Sequence, residues 1–327
     1  MKPFAYVNPT NEREAVAALL PEYERSLPIG GGQDLLARLK DYITQPDRVV
    51  NVKGALASTV TAVGGGLRIG AAMKMIDLAE NAQVLRLYPA IAAAAIEVGT
   101  PQIRNQATVG GNLNQRPRCW YFRNEEFVCF KKGGTQCFSI TGENQFHAIF
   151  GGGPSFIVHP SSLAVPMVAY GATFRLLGPN GERLVPAAQY FTPPTQNVRV
   201  ENVLAPNELL TDVILPAPGS VRSGHYEVRY KTSHDWPIAF ATVLLTMSGT
   251  TVQAARVVMG AVAPIPWRSQ AAEQALAGKT ITEATATAAA EAALQGALPL
   301  SQNAYKIQVA KTAVKRAILR AAGIATV

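Results

Sequence analysis

The alternation of hydrophobic and polar residues predicts a small α/β unit at the start of the chain. Asn11 precedes Glu14 by three residues, which is the spacing of a helix capping box. The apolar residues that follow share one helical face: Ala15, Val16, Leu19 and Leu20. A second short helix from residue 35 and a strand at 49–52 come next, and we expect this unit to end near residue 57.

The middle of the chain is predicted to contain two hairpins. Apolar runs at 59–63 and 67–70 flank three glycines, and runs at 172–177 and 183–186 flank Pro179-Asn180-Gly181. Such short Gly, Asn and Pro stretches between strands are typical of hairpin turns. The other elements predicted here are helices at 75–80, 89–98 and 166–171 and strands at 155–159 and 209–215.

A Pro/Gly-rich run at 216–219 predicts the main domain boundary. After it, three long apolar runs at 226–231, 238–247 and 252–262 predict an antiparallel meander. Helices are predicted after the meander at 271–277, 283–296 and 303–321. We therefore expect domains at 1–57, 58–218 and 219–327.

Composition favours a well-packed globular protein. The chain has 327 residues, of which 48% are hydrophobic and 16% charged, so disorder is not expected. The N-terminus lacks the apolar core of a signal peptide, and no stretch approaches the roughly 20 apolar residues that span a bilayer. We expect a cytoplasmic protein without a membrane span, or a periplasmic one exported together with a partner subunit.

The positive charge is partly concentrated in one segment. The formal net charge is +8, and the longest basic cluster consists of Arg116, Arg118, Arg123, Lys131 and Lys132. No run of Lys or Arg alternates with aromatic residues, so nucleic-acid binding is not expected. A basic surface around an anionic cofactor, or one that faces an acidic partner, is favoured.

Glycine turns at 30–32, 108–112 and 151–153 are candidate phosphate-binding loops. Glycine lets a ligand approach backbone N–H groups closely, and such groups at the start of a helix favour anions. Several loops around one dinucleotide is one interpretation, and ordinary tight turns are the other. No G-x-G-x-x-G sequence occurs in a βαβ setting, so a Rossmann-type site is not indicated.

All three cysteines, Cys119, Cys129 and Cys137, follow the second glycine turn. Their odd number argues against a disulfide framework, and the lack of a C-x-x-C sequence disfavours a zinc ribbon or thioredoxin motif. Clustered thiols suit a metal site, either an iron–sulfur cluster or, as a lesser alternative, zinc bound by the three thiols and His147. An anion-binding turn beside such a site indicates a redox protein.

A pattern of segments carries a family resemblance. Leu27-Pro28-Ile29-Gly30-Gly31-Gly32-Gln33-Asp34-Leu35 and Arg104–Leu113 are followed in order by 159–162, 208–210 ahead of Pro216, 230–231, 260–264 and Arg268. The chain thereby resembles the FAD-binding (medium) subunits of the molybdenum hydroxylase or xanthine dehydrogenase family. Gln115-Arg116-Pro117-Arg118-Cys119 and Tyr121-Phe122 resemble the aldehyde oxidoreductase type most.

The resemblance implies an α+β fold and a set of FAD contacts. The fold is a vanillyl-alcohol-oxidase-type FAD-binding domain of two α/β subdomains, followed by a C-terminal domain of antiparallel sheet and helices. The implied contacts are Leu27, Pro28, Ile29, Gly30, Gly31, Gly32, Gln33, Asp34, Leu35, Ala107, Thr108, Gly111, Asn112, Gln115, Ser161, Ser162, Leu209, Leu210 and Lys231. The chain departs from the family at Gln33, which replaces a small hydroxyl residue, and at Ser162, which replaces a common Asp.

The resemblance also implies an iron–sulfur loop at about 115–155. Related subunits carry four cysteines and a [4Fe–4S] cluster there, and Ser155 stands at the position of the fourth. Three alternatives stay open. A serine alkoxide or a non-protein ligand completes a [4Fe–4S] cluster, three cysteines hold a [3Fe–4S] cluster, or the thiols are relict core residues.

The resemblance places the substrate chemistry on another chain. Electrons leave an aldehyde-type substrate at a molybdenum-cofactor site in a large subunit, pass through the two [2Fe–2S] clusters of a small ferredoxin-like subunit, and reach FAD here and then an external acceptor. In agreement, none of the four histidines sits in a nucleophile motif, and no catalytic residue is predicted. The alternatives are a stand-alone FAD oxidase or dehydrogenase and a structural subunit without flavin.

Overall fold

Three separate sheets organise the chain, with strand orders β1-β3-β2, β4-β5-β8-β6-β7 and β12-β11-β10-β9. The computed structural model describes residues 1–231 and 234–326. Each sheet is built from one part of the sequence, at 5–51, 60–215 and 221–268 respectively. The finer domain bounds at 57 and 218 remain a prediction. Within the described residues, no helix is long and apolar enough to cross a membrane.

The first sheet is parallel and carries two short helices. Its strands are β1 (Ala5–Val7), β2 (Ser26–Ile29) and β3 (Arg48–Asn51), and its helices are α1 (Glu12–Ala17) and α2 (Leu35–Lys40). Asn11 caps α1 by accepting a hydrogen bond from the Glu14 N–H at 3.0 Å, as predicted. The second hydrogen bond of a capping box, from the Asn11 N–H to the Glu14 side chain, is a wrong prediction. Glu14 accepts instead from the backbone N–H and the hydroxyl of Thr10, at 2.8 and 2.7 Å.

The second sheet is antiparallel and contains both predicted hairpins. Its strands are β4 (Val60–Val63), β5 (Gly66–Gly70), β6 (Thr173–Gly178), β7 (Gly181–Pro186) and β8 (Leu209–Leu215). The accompanying helices are α3 (Met75–Glu80), α4 (Ala82–Leu87), α5 (Pro89–Ile96), α6 (Pro101–Arg104), α7 (Val109–Leu113), α8 (Trp120–Arg123), α9 (Ala164–Ala169) and α10 (Ala187–Tyr190), with a 3-10 helix at Phe130–Lys132.

Two local predictions in this part are wrong. Residues 155–159 form no strand, because Pro154 and Pro160 flank them and lack N–H groups to extend a ladder. Single hydrogen bonds hold the segment instead, from Ala148 N–H to the Phe156 carbonyl at 2.8 Å and from His159 N–H to the Ala263 carbonyl at 2.9 Å. The helix expected at 166–171 is α9, which begins two residues earlier, so that its proline falls in the first turn.

The third sheet is the predicted meander with a short fourth strand. Its strands are β9 (Val221–Val228), β10 (Ala239–Ser248), β11 (Thr251–Gly260) and β12 (Trp267–Arg268), and the helices after it are α11 (Gln270–Leu276), α12 (Glu283–Ala293) and α13 (Tyr305–Ala321). The first strand differs from expectation, since β9 begins earlier and ends at Val228, the last residue that pairs with β10. Lys231 therefore lies outside the strand.

The third sheet is buried on both faces, which joins it to the rest of the fold. Phe240 and Leu244 of β10 pack into the core beneath the second sheet. The alternate residues Ala241, Val243 and Leu245 pack into a second core with α11–α13. Strand residues alternate between faces, so β10 contributes to two cores at once.

Candidate functional site

A cleft of about 410 Å³ is lined by segments from the first and second sheets and by residues 234–237. It contains most of the predicted FAD contacts: Leu27, Pro28, Ile29, Gly30, Gly31, Gly32, Gln33, Asp34, Leu35, Ala107, Thr108, Gly111, Asn112, Gln115, Ser162, Leu209 and Leu210. Ser161 and Lys231 are not among the lining residues. The structure thus brings together segments that lie far apart in the sequence.

The two glycine loops touch each other at the centre of this cleft. A Cβ atom built on Gly31 would lie 2.0 Å from the carbonyl oxygen of Gln106, and one built on Gly30 would lie 2.6 Å from Oγ1 of Thr108. Gly32 has φ +73°, a conformation that residues with a Cβ rarely adopt. Only glycine allows the first loop to approach the second this closely.

Side-chain hydrogen bonds fix the second glycine loop, residues 108–112. Thr108 caps α7, since its hydroxyl accepts from the Gly111 N–H at 3.2 Å. The buried Asn112 side chain accepts from the Ser161 hydroxyl at 2.7 Å, and Ser161 Oγ accepts in turn from the Ala164 N–H at 3.0 Å. The structure therefore places Ser161 behind the cleft wall as a support for Asn112.

Asp34, at the start of α2, is surrounded by arginines. Its carboxylate lies 2.5 Å from the Arg123 guanidinium and 3.2 Å from that of Arg118, and it accepts from the Arg116 N–H at 3.1 Å. Burial alone would raise the pKa of Asp34, but Arg123, Arg118 and Arg38 lower it below its usual value. This carboxylate therefore stays ionised and is a shared partner of Arg123, Arg118 and Arg38 beside the cleft.

A buried ion pair connects the cleft with the cysteine segment. Glu201 lines the cleft and lies 2.5 Å both from Nζ of Lys131 and from Nε of Arg116. Burial would raise the pKa of Glu201, yet Arg116 and Lys131 lower it. Lys131 in turn lines the cavity beside the cysteines. No local sequence pattern indicated this pair, because its members lie 70 residues apart.

The three cysteines and Ser155 line one small cavity of about 10 Å³. Four aromatic rings complete much of its wall: Tyr121, Phe122, Phe130 and Phe138. Ser155 is 3% exposed and Cys129 is 8% exposed, so these donors face the protein interior. The segment around 115–155 thus places its predicted ligands in the lining of one cavity.

Two of the three thiols that line this cavity have polar neighbours. Nε2 of His147 lies 3.2 Å from Sγ of Cys119, and Sγ of Cys137 lies 3.1 Å from Oγ of Ser139. Burial raises the pKa of Cys119 to about 12 in the metal-free protein. Burial and the nearby Lys306 lower the pKa of His147 to about 4. Thiol and imidazole are therefore both neutral at pH 7, and they form no ion pair.

Among the described residues, the side chains around the cysteine cavity are not arranged as a site for one metal ion. In the part of the chain that the structure describes, no three His, Cys, Asp or Glu side chains are arranged to hold one metal ion, so the arrangement does not support zinc bound by the thiols and His147. A cluster takes separate ligands at its separate irons. The shared cavity lining of Cys119, Cys129, Cys137 and Ser155 is the observation on which a cluster can be proposed.

Comparison with known proteins decides the family. Residues 2–218 match the FAD binding domain in molybdopterin dehydrogenase, and residues 224–321 match the CO dehydrogenase flavoprotein C-terminal domain. The chain belongs to this family of FAD-binding subunits. It is 32% identical to the aldehyde oxidoreductase FAD-binding subunit PaoB of Escherichia coli K12, over 95% of this chain and 96% of the relative. It is 28% identical to the carbon monoxide dehydrogenase medium chain of Hydrogenophaga pseudoflava, over 96% of each.

Two solved structures agree with the fold. The H. pseudoflava carbon monoxide dehydrogenase lacking the Mo-pyranopterin moiety superposes with a TM-score of 0.75 at 29% identity, over 99% of this chain and 98% of the other. Quinoline 2-oxidoreductase from Pseudomonas putida 86 superposes with a TM-score of 0.78 over 99% of both chains at 24% identity, which supports the fold alone. The predicted α+β fold class, the FAD-binding domain and the family resemblance are confirmed.

Several cleft residues were not predicted from the sequence. They include Tyr23, Glu24, Val98, Glu201, Leu204 and Trp236. Trp236 lies under the Arg118 guanidinium, 4.6 Å from the centre of the ring, although the two residues come from different domains in our prediction. The Arg118–Trp236 contact joins the connection between strands β9 and β10 to the cysteine segment, and no local motif encodes it.

Proposed function

We propose that this chain is the FAD-carrying electron-transfer subunit of a molybdenum-dependent hydroxylase that oxidises aldehydes. The cleft supports this proposal most directly, because two glycine loops that lie far apart in the sequence meet at Gly31 and line it together. The partners would be a small [2Fe–2S] subunit and a large molybdenum subunit. An aldehyde is proposed as the substrate because PaoB, which is 32% identical to this chain, is a subunit of an aldehyde oxidoreductase.

The chain's own residues would bind and orient the cofactor. Residues 30–32 would receive the pyrophosphate, since backbone N–H groups of a glycine loop favour anions. Residues 108–112 would form the facing wall, because the N–H groups of 109–112 already donate to Met73, Ala71 and Thr108. The rest of the cofactor would lie against Ser162, Leu209 and Leu210. Gln115 is held in place because its side-chain oxygen accepts a hydrogen bond from Arg118 at 3.1 Å. Ser161 and Lys231 would act indirectly or at the rim. Bound FAD would supply the redox chemistry by collecting single electrons and delivering pairs to an external acceptor.

We further propose that Cys119, Cys129, Cys137 and Ser155 hold a [4Fe–4S] cluster. Support comes from their shared cavity and aromatic enclosure, which excludes water from metal–thiolate bonds. The bound cluster would supply a one-electron relay. A serine oxygen is a harder ligand than a thiolate, so the iron at Ser155 would be the most labile.

A cofactor inventory tests the proposed function. The complex purified from its native host should contain flavin, iron and molybdenum, and its flavin should be reduced by aldehyde only while the partner subunits are present. Reduction of the isolated chain by aldehyde would favour a stand-alone dehydrogenase. A complex that assembles without flavin would favour a structural subunit.

The iron content of the complex, and of its Ser155 variants, tests the proposed cluster separately. Anaerobically purified complex should hold about four iron per flavin beyond the partner clusters, as a [4Fe–4S] cluster requires. Ser155→Cys should preserve that iron in air, because it supplies the fourth thiolate, whereas Ser155→Ala should lose part of it. Ser139→Ala is the matched control, since Ser139 contacts Cys137 without being a predicted ligand. Iron that only equals the partner clusters would contradict the cluster.

A further inference from the structure

His147 occupies a position beside the cysteine cavity that no role above explains. Its Nε2 lies 3.2 Å from Sγ of Cys119, while its buried Nδ1 has no hydrogen-bond partner among the described residues. We propose that His147 is a positioning residue that donates an Nε2–H hydrogen bond to the Cys119 sulfur and thereby raises the reduction potential of the cluster. This inference rests on the cluster proposed above.

The chemistry of the two ring nitrogens fixes the direction of this bond. A neutral imidazole has one N–H donor and one acceptor nitrogen, and a metal-bound thiolate carries no proton and accepts only. A proton on Nδ1 would be buried without an acceptor, which is costly. A proton on Nε2 points at the Cys119 sulfur. The donor must therefore be Nε2.

His147 acts through Cys119 and does not itself belong to the donor set. The three cysteines and Ser155 line the cavity, whereas His147 does not. Its ring packs against Trp120 and Tyr121, with centroids 6.0 and 6.3 Å apart. The imidazole therefore stands on the outer side of Cys119, where second-layer hydrogen bonds tune a metal site.

The backbone of His147 is anchored from the C-terminal helices. Nζ of Lys306, in α13, donates to the carbonyl oxygens of His147 at 3.0 Å and Phe146 at 3.1 Å. Nδ2 of Asn303 donates to the same His147 carbonyl at 3.1 Å. Both side chains are buried, at 1% and 0% exposure. The ring is thus placed by a fixed support, as expected for a group that tunes a metal site.

A hydrogen bond to a cluster sulfur stabilises the reduced form, which carries more negative charge. The potential depends on the difference in this bond between the two states, and the bond is stronger to the more negative sulfur of the reduced cluster. Removing it should lower the reduction equilibrium constant of the cluster about tenfold, which equals a shift of about 59 mV for a one-electron couple.

Two measurements on the anaerobic complex test the proposal. Wild-type protein labelled with ¹⁵N-histidine, once reduced, should show a weak nitrogen coupling to the cluster in pulse EPR, and this measurement needs no variant. In redox titrations, His147→Phe should make the cluster about tenfold harder to reduce, whereas His147→Gln, which keeps an N–H donor, should recover much of the loss. Trp120→Phe alters the ring packing and removes the hydrogen bond from Trp120 Nε1 to the Glu143 carbonyl, but it leaves the His147–Cys119 contact in place and should leave the potential unchanged.

The outcomes separate this inference from the proposed function. A cluster without nitrogen coupling, or with the same potential in wild type and His147→Phe, would overturn the role of His147 and leave the cluster intact. A strong coupling would make His147 a direct ligand and would also overturn it. A flavin-containing complex without any cluster signal would overturn both the proposed [4Fe–4S] cluster and the role of His147, and would leave the FAD function standing.

Discussion

Replacing Gly31 with alanine should weaken FAD binding about a hundredfold in a chain that still folds. The new Cβ would lie 2.0 Å from the Gln106 carbonyl oxygen and 2.8 Å from Cα of Ala107, and these backbone atoms cannot rotate away. The two loops must separate, and overpacking of this kind costs about 1–3 kcal/mol. We therefore expect FAD affinity to fall about a hundredfold, measured by fluorescence titration of the deflavinated protein.

A graded series distinguishes loss of the cleft from general damage. Gly30→Ala meets the Thr108 hydroxyl at 2.6 Å, and because that side chain can adjust, we expect an intermediate loss of affinity. Gly54→Ala is the matched control, since no atom lies within 4 Å of the place that its new Cβ would take. It should bind FAD as the wild type does. A folded Gly31→Ala protein with wild-type affinity would show that the loops do not bind the cofactor.

The glycine loops and the cysteines were predictable because each signal lies in a short stretch of sequence. Gly30–Gly32 and Thr108–Asn112 are turns whose chemistry depends on neighbouring residues, and the resemblance supplied their order. The structure added what the sequence could not show, namely that Gly31 touches Gln106. Strand β8 was predicted with its bounds for a similar local reason, because a mostly apolar run, broken only by Thr211 and Asp212, ends at Pro216.

Interactions between distant segments were not predictable. Lys131 and Lys132 are adjacent and were placed together in one basic cluster, yet only Lys131 is buried and paired with Glu201. Sequence pattern cannot separate them, because the difference arises from the chain around residue 200, which folds over one lysine and not the other. The contact between His147 and Cys119 was not predictable either, because it joins residues 28 positions apart in the sequence.

Glu201→Gln should destabilise the protein strongly. The substitution leaves Lys131 and Arg116 buried without their shared carboxylate, and breaking a buried ion pair costs about 3–5 kcal/mol. The free energy of unfolding should fall by that amount in urea denaturation of the FAD-saturated protein. Glu283→Gln is the control, because Glu283 pairs with Lys315 at the exposed surface, where ion pairs contribute little.

Acidification should remove this difference between wild type and Glu201→Gln. Arg116 and Lys131 hold the pKa of Glu201 below 4.5 in the folded protein, and the unfolded chain has the ordinary value. Its contribution to stability is therefore complete above about pH 4.5 and is lost as the pH falls through the lower, folded pKa. The two unfolding free energies should run parallel from pH 7 to 5 and converge below. A constant gap down to pH 3 would show that the carboxylate charge is not what stabilises the pair.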